Sequence, residues 1–125
     1  MTNPTKLFPL VVTKDLARTR RCYEALGFEL SVEMPDYLQF RYGAEDSAPE
    51  IAFMRDGAGP HPAFDGHGLI VSIPTEDADK KHAAARNADV DIVGEPTDRP
   101  WGWRSFHVKD PSGVVLDFFH VQRNR

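Results

Sequence analysis

Short runs of alternating apolar and polar residues, punctuated by turn formers, alternate along this chain with two stretches of helical spacing. Segment 7–13, Leu-Phe-Pro-Leu-Val-Val-Thr, is apolar and β-branched and predicts a strand, with Pro9 placing its first part at a sheet edge or just entering the sheet. Asp15 is suited to cap a helix over 16–26, because Leu16, Thr19, Tyr23 and Leu26 fall on one stripe. Gly27 then ends that helix in a left-handed turn. Strands are predicted at 28–33, at 37–42 after Pro35-Asp36, and at 50–54 after a polar loop. Residues 57–66, rich in Gly, Pro and His, form a linker. Beyond it comes a strand at 68–73, then a helix capped by Thr75 and running to about Asn87. Glu76, Asp77 and Asp79 complement the dipole of that helix, and Ala78, Ala84, Ala85 and Ala88 give it a small-residue face. A short strand at 90–93, a loop at 94–100, and strands at 103–109 and 114–121 around Asp110-Pro111-Ser112-Gly113 complete the pattern.

Both halves therefore run β-α-β-β-β, with Leu10-Val11-Val12-Thr13 set against Leu69-Ile70-Val71-Ser72. The expected fold class is α+β: two βαβββ repeats, 7–57 and 66–122, forming a curved mixed sheet around one cleft in a single domain, 1–125. One helix covers one face of each repeat and leaves the other open, and concave surfaces of that kind bind small ligands.

Composition narrows the possibilities. A chain of 125 residues is the size of one domain and is expected to be too short for two independent cores. The net charge of −4 argues against nucleic acid, which needs a basic surface. No apolar run approaches the ~20 residues of a membrane span, and the start, Met1-Thr2-Asn3-Pro4-Thr5-Lys6, lacks a secretion signal, so a cytoplasmic location is expected. The single cysteine, Cys22, excludes an internal disulfide and thiolate zinc sites, and reads as a small core hydrophobe. Neither a Ser-His-Asp spacing nor a phosphate loop is present.

Tyr23-Glu24-Ala25-Leu26-Gly27-Phe28 resembles the "FYxxLGF" helix ending of the vicinal oxygen chelate superfamily, which unites glyoxalases, bleomycin-resistance proteins and dioxygenases. Arg99-Pro100-Trp101-Gly102-Trp103-Arg104 followed by Asp110-Pro111-Ser112-Gly113 resembles the "PWGxR…DPxG" signature of its antibiotic-binding, bleomycin/mitomycin-resistance branch. The resemblance spans nearly the whole chain. It implies the fold more specifically than the reaction, because one fold hosts many functions.

Metal-dependent members hold one divalent ion with four ligands. The resemblance puts those positions at Phe8, Glu50, Gly68 and Asp117, with His67 reaching the third only through a one-residue shift that turns it to the other face. Two carboxylates without imidazoles suit zinc or nickel poorly, so no cofactor is expected; if a metal is held, Glu50, His67 and Asp117 are its candidates. In the antibiotic-binding branch an aromatic on the third strand and the Trp of "PWG" hold the drug, which implies ligand contact for Tyr37 and Trp101, with Phe8 in place of a ligating histidine. Trp103, Phe40 and Phe106 are expected to close the core or pack a dimer interface. His107 alternates with Phe106 and is expected to face the cleft as a hydrogen-bonding wall residue, and His120 lies among Phe118, Phe119 and Val121. His61 and His82 read as loop and helix-surface residues. Arg104 is expected to pair with Asp110 or Asp117 or to meet a ligand carboxylate.

The reading is a small-molecule binding protein that sequesters a planar aromatic or cationic antibiotic-like compound. Tyr37 and Trp101 sandwich the ring while Glu50, His107 and Asp117 take its polar groups. The resemblance also implies a homodimer. The alternatives are a metal-dependent lyase, isomerase or dioxygenase, and a dimer without a specific ligand.

Overall fold

The computed structural model of the chain describes residues 6–122. Its elements, in order, are β1 (Leu10–Thr13), α1 (Leu16–Ala25), β2 (Glu29–Met34), β3 (Tyr37–Arg41), β4 (Glu50–Arg55), β5 (Ile70–Pro74), α2 (Ala78–Arg86), β6 (Asp91–Asp98), β7 (Trp103–Lys109) and β8 (Val115–Val121). The chain divides into two compact units, the first ending at Asp65 and the second starting at Gly66. Each contains one four-stranded mixed sheet and one helix, so the fold is the expected pair of βαβββ repeats. None of the described helices is long and apolar enough to cross a membrane.

In the first unit the strand order is β1-β4-β3-β2, with β1 and β4 parallel and the other pairs antiparallel. Strand alternation sends Val11, Leu38, Phe40, Ile51 and Phe53 to the face covered by α1. Tyr23, fully buried, reaches down from the helix into their midst, its ring 4.9 Å from Phe53 and 5.5 Å from Phe40. Asp15 caps α1 as expected, its carboxylate accepting from the Arg18 amide at 3.0 Å.

The end of α1 explains the Tyr23–Phe28 stretch. The Phe28 amide donates to the Tyr23 carbonyl and the Gly27 amide to the Glu24 carbonyl, at 3.0 and 3.1 Å. Gly27 sits at φ 93°, the left-handed geometry this pair of bonds requires. The turn returns the chain so that the Phe28 ring meets Tyr23 edge-on at 4.9 Å. The motif is therefore a helix stop that also delivers an aromatic to the core.

The second unit repeats the order as β5-β8-β7-β6. Ile73, Phe106, Val108, Leu116 and Phe118 form its buried face under α2. His82, expected on the helix surface, is instead buried, its ring 5.1 Å from Phe106. Thr75 does not cap α2, because its amide still extends the sheet by donating to the Phe119 carbonyl. Asp77 is the cap, accepting from the Asp79 and Lys80 amides. Residues expected as a loop after Val93 belong to β6, whose pairing with β7 shifts between Val93 and Thr97 around Gly94 and Pro96. Pro96 is tolerated because β6 lies at the sheet edge.

The internal repeat is offset by one residue from the sequence match. Thr13 lies on the helix face, hydrogen-bonded to Thr19, whereas Ser72 lies on the opposite face, bonded to Asp117. Ile73, not Ser72, is the counterpart of Thr13, so Leu10 corresponds to Ile70 and Phe8 to Gly68.

Two substitutions measure these contributions. Phe53→Ala should cost about 3–5 kcal/mol of folding free energy in urea denaturation, as expected for a sealed aromatic. Gly27→Ala should cost about 1–2 kcal/mol through its left-handed backbone alone. An unchanged urea midpoint in Gly27→Ala would contradict the helix-stop assignment.

Candidate functional site

Because each unit has one helix, each sheet has one face without a helix, and alternation decides what stands there. In the first unit that face carries Tyr37, Gln39, Arg41, Glu50, Ala52 and Met54. Glu50, at the start of β4, is the hub. One carboxylate oxygen pairs with the Lys6 ammonium, and the other accepts from the Ser31 hydroxyl and from Gln39 Nε2 at 2.8 Å. Gln39 Oε1 in turn accepts from the Tyr37 hydroxyl at 2.6 Å. Lys6 Nζ also donates to the carbonyls of Asp46 at 2.7 Å and Ala48 at 3.0 Å. Burial raises the Glu50 pKa, but the bonds from Lys6, Ser31 and Gln39 outweigh it and hold the carboxyl at about 2. Burial, with the Glu50 charge second, raises the Tyr37 phenol, which keeps its proton for Gln39. Phe8, half-buried, precedes β1.

The second unit presents a different face. Ser72, Asp117 and His107 form one cross-strand row, in register over β5, β8 and β7. Asp117 is 7% exposed. Its Oδ2 accepts from the Ser72 hydroxyl at 3.1 Å. Its Oδ1 is buried without a hydrogen-bond partner, with His107 Nε2 standing 3.3 Å away. Buried acceptors are rarely left in this state. Beside this row lie the rings. Trp103 is stacked on Phe119, centroids 3.6 Å apart and planes 8° apart, and Trp101 meets Trp103 nearly edge-on at 6.3 Å. Trp101 is 63% exposed. Its position is set by the turn from Arg99 to Gly102, closed by the Gly102 amide on the Arg99 carbonyl and by the Arg99 amide on the Trp103 carbonyl. The Arg99 guanidinium fixes the turn to the sheet through Ser105 Oγ at 2.8 Å.

Several expected residues are thus placed. His107 and Asp117 come together on the helix-free face of the second unit, and Trp101 stands at its rim. Trp103, expected to close the core or pack a dimer interface, lies on this face and not in the helix-covered core, because it shares its alternation with Ser105 and His107. Arg104 points to the helix side, where Asp79 takes Nε at 2.9 Å and Asp98 takes Nη1 at 2.8 Å. The expected partners Asp110 and Asp117 are therefore replaced, and the guanidinium is committed to joining α2, β6 and β7. Asp110 instead accepts the amides of Ser112 and Val114 in its own turn. His120 Nδ1 accepts the Ala78 amide at the start of α2. Tyr37 and Glu50 belong to the first unit's network. Sequence reasoning missed Lys6, Ser31, Gln39, Arg99 and Phe119. The alternation of Tyr37 and Gln39 with Leu38 and Phe40 carried the signal for Gln39; nothing near Lys6 announced its role.

At Glu50 the donor set leaves little room for a metal. Both Glu50 oxygens are taken by protein donors, one of them a cation. His67 is exposed between Gly66 and Gly68, both at positive φ, and precedes β5. Among the described residues no three His, Cys, Asp or Glu side chains converge to hold an ion.

The Glu50 network carries a pH dependence. Folding lowers this carboxyl from 4.5 to about 2, so between those values the folded chain binds fewer protons than the unfolded one. Its stabilisation is complete above about pH 4.5 and is lost as pH falls through about 2. Melting temperatures measured across this window should fall for the native chain and fall less steeply for Glu50→Gln.

Comparison with known proteins agrees with this architecture. The family model of the Glyoxalase/Bleomycin resistance protein/Dioxygenase superfamily matches residues 7–118. A glyoxalase/bleomycin resistance protein/dioxygenase from Nocardioides superposes with a TM-score of 0.78 at 21% identity, covering 100% of this chain and 88% of that one. The bleomycin resistance determinant encoded on the transposon Tn5 gives 0.72 at 17% identity, over 94% and 98% of the two chains. A bleomycin-binding protein complexed with bleomycin gives 0.67 at 18%, over 95% and 98%. No curated protein matches the sequence significantly. At these identities the structures speak for the fold alone; with the family match over most of the chain, they make this protein a member of the Glyoxalase/Bleomycin resistance protein/Dioxygenase superfamily.

Proposed function

We propose that this protein is a small-molecule binder that takes a planar aromatic compound, preferably a cationic one, on the helix-free face of its second unit. The observation that carries this reading is the exposed indole of Trp101 beside the stacked Trp103–Phe119 pair. An exposed tryptophan held by an anchored turn loses little entropy when a flat guest covers it. Each offset stack contributes about 0.5–1.5 kcal/mol beyond the area buried, and a cationic guest adds cation–π attraction of about 0.5–2 kcal/mol. Asp117 and His107, two residues from Phe119 and on the neighbouring strand, supply a polar end to the same face. Binding of this kind needs no chemical step: a protein that captures a toxic compound lowers its free concentration by mass action. The bleomycin-binding relative is a precedent for ligand binding on this fold.

A second reading comes from Ile70, Val93 and Val121, large apolar side chains that are exposed on this face. Such positions invite cover, and a second copy of the chain is the simplest cover.

Tryptophan fluorescence titrated with planar cationic and neutral aromatics tests the main reading. Saturable quenching is expected, with Trp101→Ala weakening binding by about tenfold. Equal affinity in native protein and Trp101→Ala would dispose of the ring platform. Size-exclusion chromatography with light scattering addresses the second reading: a dimer dissociated by Val121→Asp supports it, and a monomer at all concentrations removes it.

A further inference from the structure

We infer that Lys6 is a tethered cation, standing beside Glu50 where a bound ion would otherwise have to sit. Its ammonium lies among three oxygens of the first unit: a Glu50 carboxylate oxygen and the carbonyls of Asp46 and Ala48. An ammonium group has three donors, and here all three have acceptors. The opposite Glu50 oxygen accepts from Ser31 and Gln39, so both carboxylate oxygens already face donors of the chain itself. The pair is largely enclosed, with side-chain exposures of 18% for Lys6 and 8% for Glu50. An enclosed ion pair survives its desolvation cost only when further hydrogen bonds satisfy both partners, which these do.

The arrangement has two consequences. It binds the segment before β1 and the loop before β4 to one carboxylate, at a point where a bare acid would repel the loop carbonyls. It also makes the first unit independent of any external cation: the positive charge arrives with the chain. Glu50 was a metal candidate by resemblance, and its occupancy by Lys6 assigns it the role of counter-ion. This inference does not rest on the ring platform of the second unit.

Chemical rescue tests it. Lys6→Ala removes the tethered ammonium and leaves room for n-propylammonium, the missing part of the side chain. The variant should melt a few degrees below the native protein. n-Propylammonium chloride should restore that loss saturably, while sodium chloride of equal ionic strength should not. The double variant Lys6→Ala/Glu50→Gln should give no rescue. Rescue that persists in the double variant, or equal restoration by sodium chloride, would overturn the assignment. Should Lys6→Ala not fold, the native protein decides the matter. Slowed exchange of the Lys6 ammonium protons in nitrogen-15 NMR supports the inference, and an ammonium signal broadened away like those of surface lysines refutes it. Manganese titration of the native chain provides a further check: stoichiometric binding abolished by Glu50→Gln would refute the inference, and no such binding supports it.

Discussion

One helix serves each four-stranded sheet, and this shortage of helix governs the molecule. A helix seals only one side of a sheet, so the aromatic residues that alternate inward are forced into a compact stack while their neighbours stand outside. Tyr23, Phe40 and Phe53 in the first unit, and His82, Phe106 and Phe118 in the second, are the two stacks. Each is built around one side chain lowered from a helix. The motif around Gly27 contributes by stopping α1 where Phe28 can return to Tyr23.

The two bare faces resolve the same problem in opposite ways. Both place a carboxylate among strands, where an ionised group must find partners or cost stability. Glu50 is satisfied from within its own unit, through a lysine, a hydroxyl and an amide. Asp117 is satisfied on one oxygen only, next to an imidazole and a run of rings. On the first face both oxygens of the carboxylate have donors; the second retains an acceptor and an exposed indole. That asymmetry, in repeats of the same topology, is why the functional reading falls on the second unit.

Much of the fold was legible because alternation and helix-stop chemistry are local. The strands around Leu38 and Phe40, the cap at Asp15 and the turn at Gly27 follow from neighbouring residues. Errors arose where the sheet overrode local preference. Thr75 is a good cap by type, but the ladder claims its amide and passes the role to Asp77. Trp103 was grouped with Phe40 and Phe106, yet its parity with His107 puts it on the opposite face of the sheet from Phe106. The match of Thr13 with Ser72 failed because similar residues hide a change of face, which only pairing reveals. At the candidate site, His107 was singled out by its alternation with Phe106 and Asp117 by the resemblance, and their common row emerges only from the strand pairing. Lys6 was not, since it reaches Glu50 across 44 residues of chain, and no local pattern encodes such a contact.

Gly102, at φ 92°, separates two tryptophans whose rings stand at 73° to one another. Two indole planes at that angle make a corner rather than a floor. A thin, flat visitor lying against one wall presents its rim to the other; a puckered or thick one strikes both walls before settling on either. On the proposed reading such a corner would favour thin molecules over thick ones without a single hydrogen bond, and a side chain at Gly102 would strain the turn that carries it even though the space around it is open.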